Sequence, residues 1–114
     1  ENMHIIELFS DDVQSRLNIF NPRIVHKRNN MYTVSATVRN VGRQASGDIA
    51  ASIYINTGLT ISGDDIINLG NLQPGQQTEI SWDVEKLENN ENTELWISVK
   101  DNISPPVAIL IELP

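Results

Sequence analysis

Residues 34–55 read VSATVRNVGRQASGDIAASIYI. Two apolar-alternating runs flank a small, polar segment. In the first, Val34, Ala36 and Val38 alternate with Ser35, Thr37 and Arg39; in the second, Ile49, Ala51, Ile53 and Ile55 fall on one side. A period of two is the mark of a half-buried strand, because successive side chains leave a pleated backbone on opposite faces. The first run stops at Asn40, whose amide can bond its own turn, and Gly42 next to it permits a positive φ. Ala45, Ser46 and Gly47 are small enough for the chain to cross to a second sheet before Ile49 starts the next strand. The stretch therefore reads as a corner between two sheets.

The same period recurs along the chain. Tyr32 extends the first run backwards, Thr78, Ile80, Trp82 and Val84 share a face in QTEISWDV, and Leu95, Ile97 and Val99 share one in TELWISVK. The run VAILIEL at 107–113 is another strand, and a shorter one lies at 66–70. RLNIFNPRIV at 16–25 contains Pro22, which has no N–H for a ladder; this places it at a sheet edge or breaks it at the proline. Turn-forming segments separate the runs: KRNN, VGRQASGD, residues 56–65, NLQPGQQ, ENNEN and NISPP. About seven short strands at this spacing predict an all-β antiparallel sandwich, with a small barrel as the competing layout. No sustained helical period supplies the crossovers that parallel strands need. DDVQSRL at 11–17 has the composition of a single helical turn, and MHIIELF could add an edge strand; otherwise residues 1–15 read as a linker or N-terminal extension to a domain spanning 16–114.

Composition narrows the function. The 114 residues suit one domain and contain no cysteine, so neither disulfides nor a metal is needed to complete a core. The net charge of −7 disfavours nucleic acid and anionic membranes, whose phosphates need Lys and Arg. No apolar run is long enough to span a bilayer, which argues against direct membrane insertion. ENMHIIELF lacks the features of a signal peptide, and a chain opening on Glu1 reads as a piece of a larger protein.

The chemistry-bearing residues do not converge. His4 and His26 lie in separate segments without Cys partners, whereas zinc needs three or four ligands; no metal site and no cofactor is expected. Asp64 and Asp65 in SGDD, and Asp48, suggest calcium, but the spaced carboxylates of a dedicated loop are missing and the residues suit ordinary turns. No nucleophile elbow occurs, and no catalytic residue is assigned. Asn102-Ile103-Ser104 is a glycosylation sequon followed by Pro105, within a turn. Tyr54 and Trp96 point away from the apolar faces of their strands, and together form the candidate binding surface, for a sugar ring or a protein partner. Pro22, Arg23 and Lys27, and Pro105 and Pro106, are suited to guarding sheet edges.

Several fragments carry a family resemblance. Asn40-Val41-Gly42, then Ala45, Ser46 and Gly47, then Ile53-Tyr54-Ile55, then Leu72-Gln73-Pro74-Gly75 leading to Trp82, and a late strand ending near Asp101 together resemble the CARDB domains, a cell-adhesion-related group found in bacteria and in archaeal surface proteins. The likeness runs over residues 16–101; NISPPVAILIELP stands where the family often carries an acidic, Asn-rich tail. It implies a seven-stranded immunoglobulin-like β-sandwich with structural turns at Asn40, Gly42, Pro74 and Gly75 and with no catalytic residues to carry over. It also implies a non-catalytic module of a cell-surface or secreted protein, an adhesion or spacer unit whose partners are neighbouring domains of the same chain, surface proteins or glycans. The alternative is an accessory domain that positions substrate or carbohydrate for an extracellular protease or glycosidase.

Overall fold

The computed structural model describes residues 14–87 and 93–114. Eight strands follow in order: β1 (Leu17–Arg28), β2 (Met31–Asn40), β3 (Ile49–Ile55), β4 (Leu59–Ser62), β5 (Ile66–Gly70), β6 (Gln77–Lys86), β7 (Glu94–Lys100) and β8 (Val107–Glu112). They form two four-stranded sheets, β1-β2-β6-β4 and β5-β3-β7-β8, with every pairing antiparallel. The architecture is the expected sandwich with one strand more. The addition is β4, inside the segment read as a turn, which pairs with the end of β6 from Leu59↔Lys86 to Ser62↔Asp83.

The alternation seen in the sequence builds the core. Val34, Ala36 and Val38 of β2, with Ile80, Trp82 and Val84 of β6 beside them in the same sheet, face Ile49, Ala51 and Ile53 of β3 and Leu95, Ile97 and Val99 of β7, all buried. Burial of β-branched side chains at this density is the main term favouring the fold. β1 is an edge strand, and it bends at the proline without ending: its register with β2 shifts between Phe20 and Arg23, and Asn21 takes a φ of 56°. The bulge puts Pro22 where no ladder bond is lost. The proposed helical turn is not formed in its described part; Gln14 to Arg16 are non-helical and Leu17 begins β1. Its other residues, like MHIIELF and ENNEN, lie outside the described ones.

The corner between β2 and β3 is a buried polar unit. Asn40 is fully buried. Its Oδ1 accepts from the N–H of Gly42 (2.9 Å) and of Arg16 (3.2 Å), and its Nδ2 donates to the carbonyls of Gln44 (2.7 Å) and Leu72 (2.9 Å). All four hydrogen-bonding positions of the amide are thereby used. Its backbone is engaged as well, donating to the Gln76 carbonyl and accepting from Gly75 N–H. Ser46 completes the unit: its N–H donates to Leu72 O, and its Oγ accepts from Leu72 N–H at 2.9 Å. Gln73 to Gln76 is a type II turn, closed by a Gln76 N–H to Gln73 carbonyl bond, with Pro74 second and Gly75 third at φ 84°.

Gly42 serves a different purpose from the one its sequence position suggests. It does not adopt a positive φ. Instead the backbone of Gln14 to Arg16 passes so close that a Cβ on Gly42 would lie 2.6 Å from Arg16 N and 2.8 Å from Ser15 Cα. Val41 N–H donates to Arg16 O and Arg43 N–H to Gln14 O in the same passage.

Replacing Asn40 by Ala takes a partner from the N–H groups of Arg16 and Gly42 and from the Gln44 carbonyl, and leaves the Leu72 carbonyl with the Ser46 N–H alone. The Asn40→Ala domain is expected to lose at least about 3 kcal/mol in urea unfolding. A loss under about 1 kcal/mol, within the range of ordinary surface changes, contradicts this reading.

Candidate functional site

The outer faces of the two sheets differ in kind. On β1-β2-β6-β4, charged side chains span the sheet. Arg23 of β1 pairs with Glu79 of β6 across β2, and Lys27 reaches Asp83 at 3.4 Å. Asp83 also accepts from Thr33 Oγ1 at 2.7 Å. The Thr33 bond lowers the Asp83 pKa, and Lys27 adds to the effect against a smaller desolvation cost. His26 stacks obliquely on Tyr32 at 4.9 Å and bonds the Asn29 carbonyl through Nε2. This histidine has a local structural role; His4 lies outside the described residues.

The outer face of β5-β3-β7-β8 carries an apolar row. Tyr54 and Trp96 are direct cross-strand neighbours on β3 and β7, and Leu110 of β8 sits opposite Trp96 on its other side. At 55 %, 48 % and 47 % exposure, the three form a half-solvated row across adjacent strands. Strand spacing makes that row about 10 Å wide, comparable with a sugar ring and its neighbour. The next row is Ile66, Ser52, Ser98 and Ala108, with Ile66 also exposed. Glu94 and Glu112, opposite each other on β7 and β8, flank the row two residues along from Trp96 and Leu110. Beside it, Asn56 donates to Glu94 O and accepts from Gly58 N–H, which fixes a shallow depression bounded by Tyr54, Ile55 and Trp96.

Sequence alternation placed Tyr54 and Trp96 on outward faces, and the structure brings them side by side. Leu110 and Ile66 were not singled out. Their signal was present in VAILIEL, where Leu110 falls out of phase with Ile109 and Ile111, but register is needed to see that it meets Trp96.

A second concavity lies at the β3 entrance, lined by Ser46, Gly47, Asp48, Asn71, Lys100 and Asp101. Of its two carboxylates, that of Asp101 is already committed. Asp101 Oδ2 accepts from Gly47 N–H (2.6 Å) and Ser104 Oγ (2.9 Å), while Oδ1 accepts from the N–H of Ser104 (2.6 Å) and Ile103 (3.2 Å). Burial works to raise the Asp101 pKa, and these donors outweigh it, so the group titrates below the ordinary carboxylate range. Ser104 also bonds Ser15 Oγ, so the hydroxyl of the sequon is part of the turn. Asp48 and Asp65 flank opposite ends of β3 and do not converge. Among the described residues no three His, Cys, Asp or Glu side chains group as metal ligands.

This geometry suits a binding or structural module, with one exposed apolar row outside and corner polar side chains spent on turns. The chain matches the CARDB family over residues 16–104 and belongs to it. CARDB domains are non-catalytic and immunoglobulin-like, in keeping with the two-sheet sandwich. No curated protein matches the chain.

The Asp101 contacts have a definite pH signature. Because the folded pKa is lowered, the stabilisation is fully present above the unfolded value of about 3.9 and disappears as pH falls through the lowered one. In urea unfolding at several pH values, Asp101→Asn is expected to be less stable than the parent at pH 7, with the gap closing below about pH 4. A gap that stays constant with pH contradicts the assignment.

Proposed function

We propose that this domain is a non-catalytic module of a larger cell-surface or secreted protein, serving as an adhesion or spacer unit between neighbouring domains of the same chain. Family membership over residues 16–104 carries the reading. The site chemistry agrees with it: Asn40, Ser46 and Asp101, polar groups at the corners, are spent on holding turns. The net charge of −7 suits a solvated, outward-facing module. The test is protease shaving of intact host cells, or assay of their medium, for the full-length parent protein. Peptides from 16–114 are expected outside the cell; their retention within sealed cells overturns the reading.

A second reading, an accessory domain positioning carbohydrate, is favoured by the Tyr54–Trp96 pair. Neighbouring exposed aromatic side chains suit stacking against the apolar face of a sugar ring. Trp82 is buried and Trp96 half-exposed, so solute-accessible emission reports Trp96. Under the accessory reading, a soluble glycan from a broad panel alters that emission in the parent and not in Trp96→Ala. Silence across the panel removes it and leaves the spacer or protein-adhesion role.

A further inference from the structure

We propose that the bare half of the β6 edge is a strand-addition site for an extended polypeptide that alternates apolar and basic residues. The site follows from how β6 is paired. On one side β2 covers it from Glu85 to Gln77. On the other, β4 covers only Lys86 to Asp83, then leaves through Gly63, at φ 95°, for the opposite sheet.

Antiparallel ladders alternate, so the residues pointing at each side can be assigned. Asn40 N–H bonds Gln76 O and Lys86 N–H bonds Asn30 O, so the even-numbered positions of β6 face β2. Leu87 N–H bonds Gly58 O, so the odd-numbered ones face β4. Gln77, Glu79 and Ser81 therefore direct their N–H and C=O groups past the end of β4, where no strand of the described residues meets them. The gap is bounded by Ser62 at one end and the Pro74–Gly75 turn at the other. It spans about 20 Å, the length of a six-residue strand.

Three further features point to the occupant. The mouth of the sandwich beside this edge is a depression between the sheets, lined by Ser62, Asp64, Ile67, Ser81 and Trp82. The Trp82 ring is only 4 % exposed, and its Nε1–H has no partner among the described residues. An added strand would supply apolar side chains to this mouth from alternate positions and carbonyl acceptors nearby. The charge at the rim is negative. Glu79 and Asp83 are matched by Arg23 and Lys27, whereas the exposed Asp64 and Asp65 have no ion-pair partner among the described residues. Basic residues on the incoming strand complement them.

The edge of β1 is a poorer template. It carries the Asn21–Pro22 bulge, where the ladder register shifts and Pro22 has no N–H, and both oppose strand addition. This proposal concerns β6 and is independent of the Tyr54–Trp96 face.

The experiment uses the whole chain, isotope-labelled for NMR, and a capped seven-residue peptide alternating lysine and valine. The expected result is saturable shifts and slowed exchange at the amides of Gln77, Glu79 and Ser81, with movement of the Trp82 indole N–H signal. The same peptide N-methylated on the edge facing β6 is expected to lose at least about tenfold in affinity, as backbone pairing requires. Asp64→Lys with Asp65→Lys, both in an exposed turn, is expected to weaken the unmethylated peptide about fivefold without altering the fold. Ser81→Pro, which removes an outward N–H, should weaken it further. No response at millimolar peptide, shifts confined to β1 or β8, or equal binding of the methylated peptide overturns the proposal. Protection of the same amides on raising protein concentration alone assigns the edge to a second copy and overturns it too.

Discussion

The four hydrogen bonds of the Asn40 side chain brace the point where the β1–β2 ladder ends and the chain leaves for the second sheet. They tie the end of β2 to the start of β1 at Arg16, to the crossing segment at Gln44, and to Leu72 ahead of β6. A sandwich must pass its chain between sheets, and each passage leaves backbone groups without ladder partners. Here one buried amide satisfies them. Ser46 does the same for Leu72 in both directions, and the Pro74–Gly75 turn closes onto the Asn40 carbonyl. With the corner fixed, β2 and β3 enter their sheets in the phase that puts Val34, Ala36 and Val38 against Ile49, Ala51 and Ile53. A shift of one residue would turn each set to solvent.

Much of this was legible because strand period is local. VSATVRN, IAASIYI, TEISWDV and LWISV each carry their burial in their own alternation. What escaped was non-local. LTIS, only four residues between Gly58 and Gly63, becomes β4 because Asn56 bonds Gly58 and β6 offers an edge; its own pattern is too short to say so. Gly42 announced a special position, but its reason is the passing backbone of Gln14 to Arg16, which sequence spacing does not reveal. The candidate surface was half visible: outward phase identified Tyr54 and Trp96, and register was needed to align Leu110 beside them.

The two outer faces divide the work. The β1-β2-β6-β4 face is sealed by its own ion pairs, with Ser35 and Thr37 buried beneath charged neighbours. Exposed pairs of this kind contribute little stability, but they keep the face hydrated and closed to apolar partners. The β5-β3-β7-β8 face leaves its Tyr54, Trp96 and Leu110 row open. A module whose corners are held internally can present such a face without moving, as the proposed spacer or adhesion role requires.

The dependence of the sandwich on its Asn40 corner is tested most directly by native-state hydrogen exchange at Gly42, Ser46, Leu72 and Gly75, whose N–H groups all end within that unit. If the corner is part of the global fold, these four exchange together with the core amides of β2 and β7, at the free energy of complete unfolding. Exchange at loop rates, well before the core strands open, would contradict the account.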